Sequence, residues 1–357
     1  MVFTTPAVHA LRTRFPSAHL AYVVEPAAAP IVVDNPHLDD VIVAPRARGL
    51  RGVRDDLALG RRLRAGRYDV AIDFHGGPRA SLLTWLSGAP VRIGYEIAGR
   101  SWMYTRRIAR PRELRPRHSV ENQWDLLASL DVAPPDRSAW PVEMPADADA
   151  RAAVAERLAR AGVTADHPLV VIHVSAGNPF RRWPGAHFVD LVAALAADDP
   201  DRRIVITSGP SEGDAAGRVI VEARARLAGD AGHQVVSCGE FSLRELRAML
   251  DRAALYIGGD SGPLHVAATT RVPIVGLYGP TLPIRSAPWR DPGCATESVD
   301  AGDLPCRPCD QRVCAPGDFR CLTSIQPAQV LDAARRALGN QELRNLESGI
   351  RGGSRSR

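Results

Sequence analysis

The sequence predicts two α/β domains, each built around a parallel β-sheet. Short apolar runs of strand type alternate with helical segments along most of the 357 residues, which is typical of parallel strands joined by helical crossovers. Residues 131–150 contain four prolines and no long apolar period, which indicates a linker or boundary. The alternation then resumes. We therefore expect domains at residues 1–165 and 166–339, followed by a disordered basic tail at 340–357.

The elements of the first domain follow from short apolar runs and helical patterns. The predicted strands are Ala18–Val24, Asp40–Val43 and Asp69–Phe74, and the predicted helices are Leu57–Leu63 and Asn122–Leu130. After the Pro-rich segment, an Ala/Arg-rich helix is predicted over Asp149–Ala161, because Gly162 supplies the residue that commonly follows a helix end.

The second domain repeats the strand–helix rhythm more clearly. Its predicted strands are Leu169–Val174, Arg203–Thr207, Gln234–Ser237, Ala254–Ile257 and Pro273–Leu277. One predicted helix carries an apolar stripe formed by Phe188, Leu191, Val192 and Leu195. Further helices are predicted over Gly213–Leu227, after Ser242, and from Pro263 to Thr269. Ser242 and Glu245 have the spacing of a capping box.

Composition excludes several classes of protein. Apolar residues make up 45% and charged residues 24%, and no uncharged apolar run approaches the roughly 18 residues of a membrane span. The N-terminus lacks the pattern of a secretory signal, so we expect a cytoplasmic protein. All 45 basic residues are arginine. A P-loop lysine, a Schiff base and a lysine general base are therefore excluded.

The net charge of +5 is unevenly distributed. Between Arg92 and Arg117 there are eight arginines and two acids, Glu96 and Glu113. This segment is either a solvated surface loop or a binding surface for an anionic partner, such as a phosphorylated glycolipid or an anionic membrane. A nucleic-acid partner is not expected, because no zinc-finger spacing, RRM signature or basic recognition helix is present.

Two loops of the second domain predict a phosphate-binding site. One follows the strand ending at Ile257, where two glycines precede Asp260, Ser261 and Gly262 at a helix start. The free N–H groups at this helix start form an anion site, or the segment is an ordinary strand-to-helix turn with Asp260 or Ser261 as its N-cap. The other loop carries Arg181 and Arg182 just before a helix. The helix dipole disfavours cations at this end, and an anion bound between the two arginines would offset that cost. Alternatively, both arginines face water. Together the loops are typical of a nucleotide site at a topological switch point, although no G-x-G-x-x-G is present.

The motifs taken together resemble glycosyltransferase family 9, the heptosyltransferases of the lipopolysaccharide inner core. The matching segments are IDFHGGPRAS, VRIGY, HSVENQWDLL, the SAG and RRWP of the first loop, GGDSGPLHVAA and LYGPT. The resemblance implies a GT-B fold, with two Rossmann-like domains facing across a cleft. It implies inverting transfer of a heptose-like sugar from an ADP-sugar to a lipopolysaccharide-core or related glycolipid, with no required cofactor and with peripheral contact at the inner membrane face.

The resemblance also implies residue roles. Arg181 stands where the family usually has a phosphate-binding lysine, Glu212 would reach the ribose and Phe241 would cover the adenine. Asp260 would face the sugar or phosphate side, while His265 is either a diphosphate contact or a buried structural residue. The implied donor set is Ala176, Gly177, Arg181, Glu212, Phe241, Asp260, Ser261, Gly262 and His265, and the acceptor-side set is Arg79, Arg106 and Arg107.

The family's catalytic base is an aspartate after the first strand. Aligning Thr5 and Pro6 on the family's opening motif puts Met1 one residue past that aspartate. We therefore expect the first strand, its glycine-rich loop and the base to precede Met1, and we assign no catalytic residue in the chain. Either the start is misassigned, or the chain is a catalytically inactive remnant that binds nucleotide sugars.

Four of the six cysteines form a cluster after the last predicted strand. Cys306, Cys309, Cys314 and Cys321 have the spacing C-x2-C-x4-C-x6-C. Four thiols at this spacing remain free, close two disulfides or bind a structural zinc ion. A cytoplasmic location favours thiols or metal over disulfides.

Overall fold

The structure is a computed structural model that describes residues 1–44, 47–109, 117–210 and 212–353, the last thirteen of these by their backbone alone. It divides into two compact units, Phe3–Trp140 and Pro141 onward. The division therefore falls inside the Pro-rich segment and not at residue 165. The reason is the helix Ala148–Arg160, which packs against Leu243–Arg252 and so belongs to the second unit.

The first unit contains two small parallel sheets. Strands β1 and β2 pair with each other, and β3, β4 and β5 form a separate sheet in that order. The strands are β1 (Ala21–Val24), β2 (Asp40–Val43), β3 (Val70–Ile72), β4 (Val91–Tyr95) and β5 (Arg106–Ile108). The helices are α1 (Thr5–Arg14), α2 (Gly49–Ala65), α3 (Pro78–Leu86) and α4 (Ser119–Leu127).

Two small apolar clusters pack the strands and helices of the first unit together. Ile42, Leu63 and Leu83 join β2 to α2 and α3, while Ile93 and Leu126 join β4 to α4. Strands β1 and β3 are only partly buried.

The second unit is a six-stranded parallel sheet flanked by helices. Its strands are β6 (Leu169–His173), β7 (Arg203–Thr207), β8 (Val235–Val236), β9 (Leu255–Gly259), β10 (Ile274–Tyr278) and β11 (Thr296–Asp300). They lie in the order β11-β10-β9-β6-β7-β8. The order reverses at β6, and this reversal creates a topological switch point between β6 and β9. Strands β6, β9 and β10 are buried along their whole length, as their continuous apolar runs predict.

The helices of the second unit begin with α5 (Ala148–Arg160), α6 (Gly185–Asp198), α7 (Gly213–Arg226) and α8 (Leu243–Arg252). They continue with α9 (Gly262–Ala267), α10 (Pro283–Ser286), α11 (Arg320–Thr323) and α12 (Pro327–Gly353). The predicted capping box is confirmed, because Ser242 accepts from the Glu245 N–H and Glu245 accepts from the Ser242 N–H. Gly162 follows the end of α5 as predicted, and its φ of 77° is the left-handed conformation common at that position.

Helix α12 begins at Pro327 and packs against the sheet through fully buried Val330 and Ala333. Its backbone remains helical to Gly353, whereas the sequence predicted a disordered tail from residue 340. Once a helix is nucleated, each added residue extends it at little cost, and Gln, Glu, Leu and Arg are good helix formers. Residues 354–357 lie outside the described residues.

Candidate functional site

The candidate site lies at the carboxyl ends of β6 and β9. These strands are separated by about 85 residues in sequence, yet Ile172 of β6 is in register with Ile257 of β9, and His173 with Gly258. The two predicted loops therefore emerge side by side at the switch point. This confirms that they come from neighbouring strand–helix units.

Asp260 is the centre of this site, and only 2% of it is exposed. Arg181 donates from Nη1 to the Asp260 carbonyl at 3.0 Å and to Oδ2 at 3.4 Å. The Ser286 hydroxyl donates to the same Oδ2 at 3.0 Å, and His265 Nε2 lies 3.5 Å from Oδ1. Burial acts to raise the pKa of this carboxyl, but His265, Thr281 and Arg181 outweigh it and leave the pKa below its usual range. Asp260 is therefore ionised at neutral pH.

An ionised Asp260 repels phosphate and attracts the guanidinium of Arg181 beside it. Its contacts hold Arg181 at the mouth of the site and orient His265 towards the same carboxylate. His265 therefore belongs to the polar cluster around Asp260, and is not simply a residue of the apolar core. The chemistry of Asp260 fits a hydroxyl-bearing sugar, or the positioning of Arg181, better than direct contact with a phosphate.

Arg181 is held from its other side by Gln311. The Gln311 Oε1 atom accepts from Arg181 Nε at 2.7 Å and from Asn178 Nδ2 at 2.9 Å. An arginine has five N–H donors. Among the described residues, Gln311 and Asp260 engage Nε and Nη1 only, and the side chain is 31% exposed. The remaining N–H groups can receive an anionic ligand.

The segment that carries Gln311 is anchored on the loop after β10. The Arg307 side chain is 2% exposed; its Nη2 donates to the Thr281 carbonyl at 2.9 Å and to Asp300 Oδ2 at 3.1 Å. The Cys309 N–H donates to the Pro280 carbonyl at 3.3 Å. Gln311 could not be predicted from the sequence, because a single amide in a loop carries no pattern.

The backbone is accessible in both loops. Gly177 and Gly262 are exposed, and a Cβ atom added at either position would meet nothing within 4 Å. The Ser261 hydroxyl is buried and finds no hydrogen-bond partner in the described structure. Helix α9 has only six residues, so its dipole contributes less than a longer helix would. Ala176 is buried, and its carbonyl accepts from Arg182 Nε at 2.8 Å.

Three donor-loop residues have partners that the sequence did not indicate, and their roles in donor binding stay predictions. Arg182 forms an ion pair with Glu212, so the carboxylate predicted to reach a ribose already has a cation beside it. Arg181 and Arg182 each have an acidic neighbour, so neither needs a bound anion to offset the helix dipole. The ring of Phe241 is covered on one face by the Arg157 guanidinium, 4.0 Å from its centroid.

A buried histidine ties together the strand ends beneath the site. His173, the last residue of β6, contacts the Thr207 hydroxyl through Nδ1 at 3.0 Å and the Ser175 hydroxyl through Nε2 at 3.1 Å. Ser175 in turn accepts from the Gly209 N–H at 2.7 Å. Burial lowers the pKa of His173 to about 4, so the ring is neutral at pH 7.

The acceptor-side arginines of the first unit have different environments. Arg79 donates from Nε to Asp56 at 2.9 Å and from Nη1 to the Ala44 carbonyl at 3.2 Å, which indicates a structural role. Arg106 and Arg107 are exposed on β5, and Arg106 donates to the Ser129 carbonyl at 2.6 Å. Residues 110–116 of the basic segment lie outside the described residues.

The clustered cysteines are free thiols, like the other two cysteines. Burial and the neighbouring thiols raise the pKa of Cys321. No three of the cluster's sulfurs lie within 4.8 Å of one another. A four-thiolate zinc site requires all its sulfurs around one ion, so this arrangement does not support the zinc ion that the sequence left open.

Comparison with known proteins identifies the family. The model of glycosyltransferase family 9 (heptosyltransferase) matches residues 57–317. The chain belongs to glycosyltransferase family 9. It is 28% identical over 316 residues to lipopolysaccharide heptosyltransferase 3 of Escherichia coli, covering 87% of this chain and 89% of that one. This family 9 glycosyltransferase is thus similar to that heptosyltransferase over most of its length.

Solved structures agree on the fold. A glycosyltransferase family 9 structure from Veillonella parvula superimposes with a TM-score of 0.80 at 24% identity, covering 94% of this chain and 93% of that chain. The E. coli heptosyltransferase WaaC solved with ADP gives a TM-score of 0.64 at 21% identity, covering 94% of this chain and 95% of that chain. The family 9 glycosyltransferase therefore has the predicted GT-B fold of two Rossmann-like units. Within the described residues, no helix has the length and apolarity that a membrane span requires.

Proposed function

We propose that this glycosyltransferase moves a heptose-like sugar from an ADP-sugar to a lipopolysaccharide-core or related glycolipid acceptor, with inversion of the anomeric carbon. The observation that carries the proposal is the cluster of Arg181, Asp260 and His265 at the switch point of the second unit. The ADP donor is supported by the similar WaaC structure, which was solved with ADP. The acceptor is supported by the relationship to lipopolysaccharide heptosyltransferase 3.

The proposed reaction is a single displacement. The acceptor hydroxyl oxygen bonds to the anomeric carbon while the bond from that carbon to the diphosphate oxygen breaks, and ADP departs with the electron pair. A base takes the hydroxyl proton. The family resemblance implies an aspartate for this role, and we assign no residue of this chain to it.

Arg181 is the group that we propose stabilises the departing diphosphate. Its guanidinium has N–H groups left over from its bonds to Gln311 and Asp260. Preorganised cations of this kind are most effective where charge develops in the transition state. The exposed backbone at Gly177 and Gly262 offers further N–H donors. In this proposal no metal ion takes part.

A donor and acceptor panel tests the proposal. The full chain is incubated with ADP-heptose and a heptose-deficient lipopolysaccharide core, and the product is read as a mass increase of one heptose. We expect ADP to bind more tightly than GDP, UDP or dTDP, and we expect any transferred sugar to come from ADP-heptose. Tighter calorimetric binding of another nucleoside diphosphate than of ADP would overturn the assigned donor. ADP binding without transfer would favour the inactive nucleotide-sugar-binding alternative.

We further propose that the chain works in the cytoplasm, in peripheral contact with the inner face of the membrane, where a glycolipid acceptor is reached. The exposed Arg106 and Arg107 on β5 support an anionic partner for the first unit. A nucleic-acid partner is not part of the proposal.

A further inference from the structure

The outer face of α2 exposes a row of apolar side chains. Leu50 is 90% exposed, Val53 59% and Leu57 44%. Their spacing of three and four residues puts them on one side of the helix. Leu63 is buried on another side of the helix, whereas Gly60, seven residues after Val53, is buried at the edge of this row. Single exposed apolar residues are common, but a contiguous row on one helix marks an interaction surface.

Arginines continue and flank this apolar row. Arg61 and Arg64 follow Leu57 by four and seven residues, so they extend the same side of α2 towards its end, and both are exposed. Arg54 is also exposed and follows Leu50 by four residues. The whole helix contains five arginines and two aspartates. One of those aspartates, Asp56, is paired with Arg79, which leaves the exposed face of α2 strongly cationic.

We propose that α2 docks this chain on an anionic lipid bilayer, lying in the plane of its surface. Leu50, Val53 and Leu57 would enter the boundary between headgroups and acyl chains, while Arg54, Arg61 and the neighbouring arginines bind lipid phosphates. This division of a helix into an apolar row and a cationic flank is the pattern of interfacial helices. The proposal rests on the membrane contact of the proposed function and is independent of sugar transfer.

A second copy of the chain fits this surface less well. A symmetric dimer through α2 would bring the same row of arginines from both copies together, and like charges in contact oppose association. An anionic bilayer instead offers both an apolar layer and a continuous supply of phosphates. Charge complementarity thus favours lipid as the occupant.

Vesicle sedimentation of the full chain tests the proposal. We expect binding to vesicles of phosphatidylcholine mixed with phosphatidylglycerol, much weaker binding to phosphatidylcholine alone, and weakening as salt is raised. Replacing Leu50, Val53 and Leu57 together by Ser should lower the partition coefficient at least about tenfold. Replacing Arg61 and Arg64 by Gln should lower it about fivefold for each arginine.

Matched controls separate docking from general surface effects. Val221→Ser removes a 68% exposed apolar residue from α7, and Arg160→Gln removes an exposed arginine from α5. Neither should change vesicle binding. Because the row on α2 is exposed, its Ser variants should keep the melting temperature and the calorimetric affinity for ADP.

Three outcomes would overturn the docking proposal. They are vesicle binding by the triple Ser variant equal to that of the unmodified chain, equal binding to vesicles with and without phosphatidylglycerol, and a concentration-dependent dimer in sedimentation velocity that the triple Ser variant abolishes. Loss of sugar transfer together with intact vesicle binding would count against the proposed function alone. Intact transfer without vesicle binding would count against docking alone.

Discussion

Replacing Arg181 by Ala removes the cation that we assign to the donor diphosphate. Arg181 has N–H groups available after bonding to Gln311 and Asp260, so a phosphate can take at least one charge-assisted hydrogen bond. A hydrogen bond to a charged group contributes about 1.5–3 kcal/mol. The variant should therefore bind ADP about 10- to 150-fold more weakly. Without Arg181, the carboxylate of Asp260 would lose a neighbouring cation, and its repulsion of the diphosphate would weaken binding further.

Titration calorimetry with ADP is the assay. Arg181→Lys keeps the charge but loses the planar fork, so its affinity should fall between those of the unmodified chain and the Ala variant. Arg312→Gln is the matched control, since it removes a nearby, 85% exposed arginine and should leave the affinity unchanged. A melting curve for each variant separates lost binding from lost folding. An affinity of Arg181→Ala within about twofold of the unmodified chain would remove this residue from the site.

Three further predictions concern the surroundings of the site. Gln311→Ala should weaken ADP binding about fivefold by calorimetry, since it removes one of the hydrogen bonds that orient Arg181; unchanged affinity would make the contact incidental. Burial lowers the pKa of His173 from 6.5 to about 4, so the unfolded chain takes up the proton first as pH falls. Unfolding in urea should show about 3 kcal/mol of stability lost between pH 6.5 and 4, and this loss should be absent in His173→Gln. Changing Arg106 and Arg107 to Gln should raise the acceptor KM and leave ADP affinity alone, and no effect on either would identify a solvated surface.

The fold of the second unit could be predicted from its sequence because its strands are buried on both faces. Such strands leave continuous apolar runs such as Leu169–His173, and each predicted strand of this unit overlaps an observed one. Strand β11 was missed, since Thr296–Asp300 lies at the sheet edge and is largely polar. In the first unit, β5 begins with two exposed arginines and carries no strand pattern.

The site could be predicted only as far as local pattern reaches. The loops of Arg181 and Asp260 were identified by glycines, small residues and helix starts next to buried strands. Their pairing depends on β6 lying beside β9, which strand order decides and local sequence does not. The contacts of Glu212 and Gln311 depend on long-range packing that leaves no periodic signal.

The position of ADP in a crystal of the complex tests the central claim most directly. We predict that the diphosphate lies at the carboxyl ends of β6 and β9, with a phosphate oxygen within hydrogen-bonding distance of the Arg181 guanidinium and of the N–H groups of the loop that opens α9. Asp260 should remain bonded to Arg181 in that complex. A diphosphate bound elsewhere, with Arg181 still held only by Gln311 and Asp260, would contradict the account.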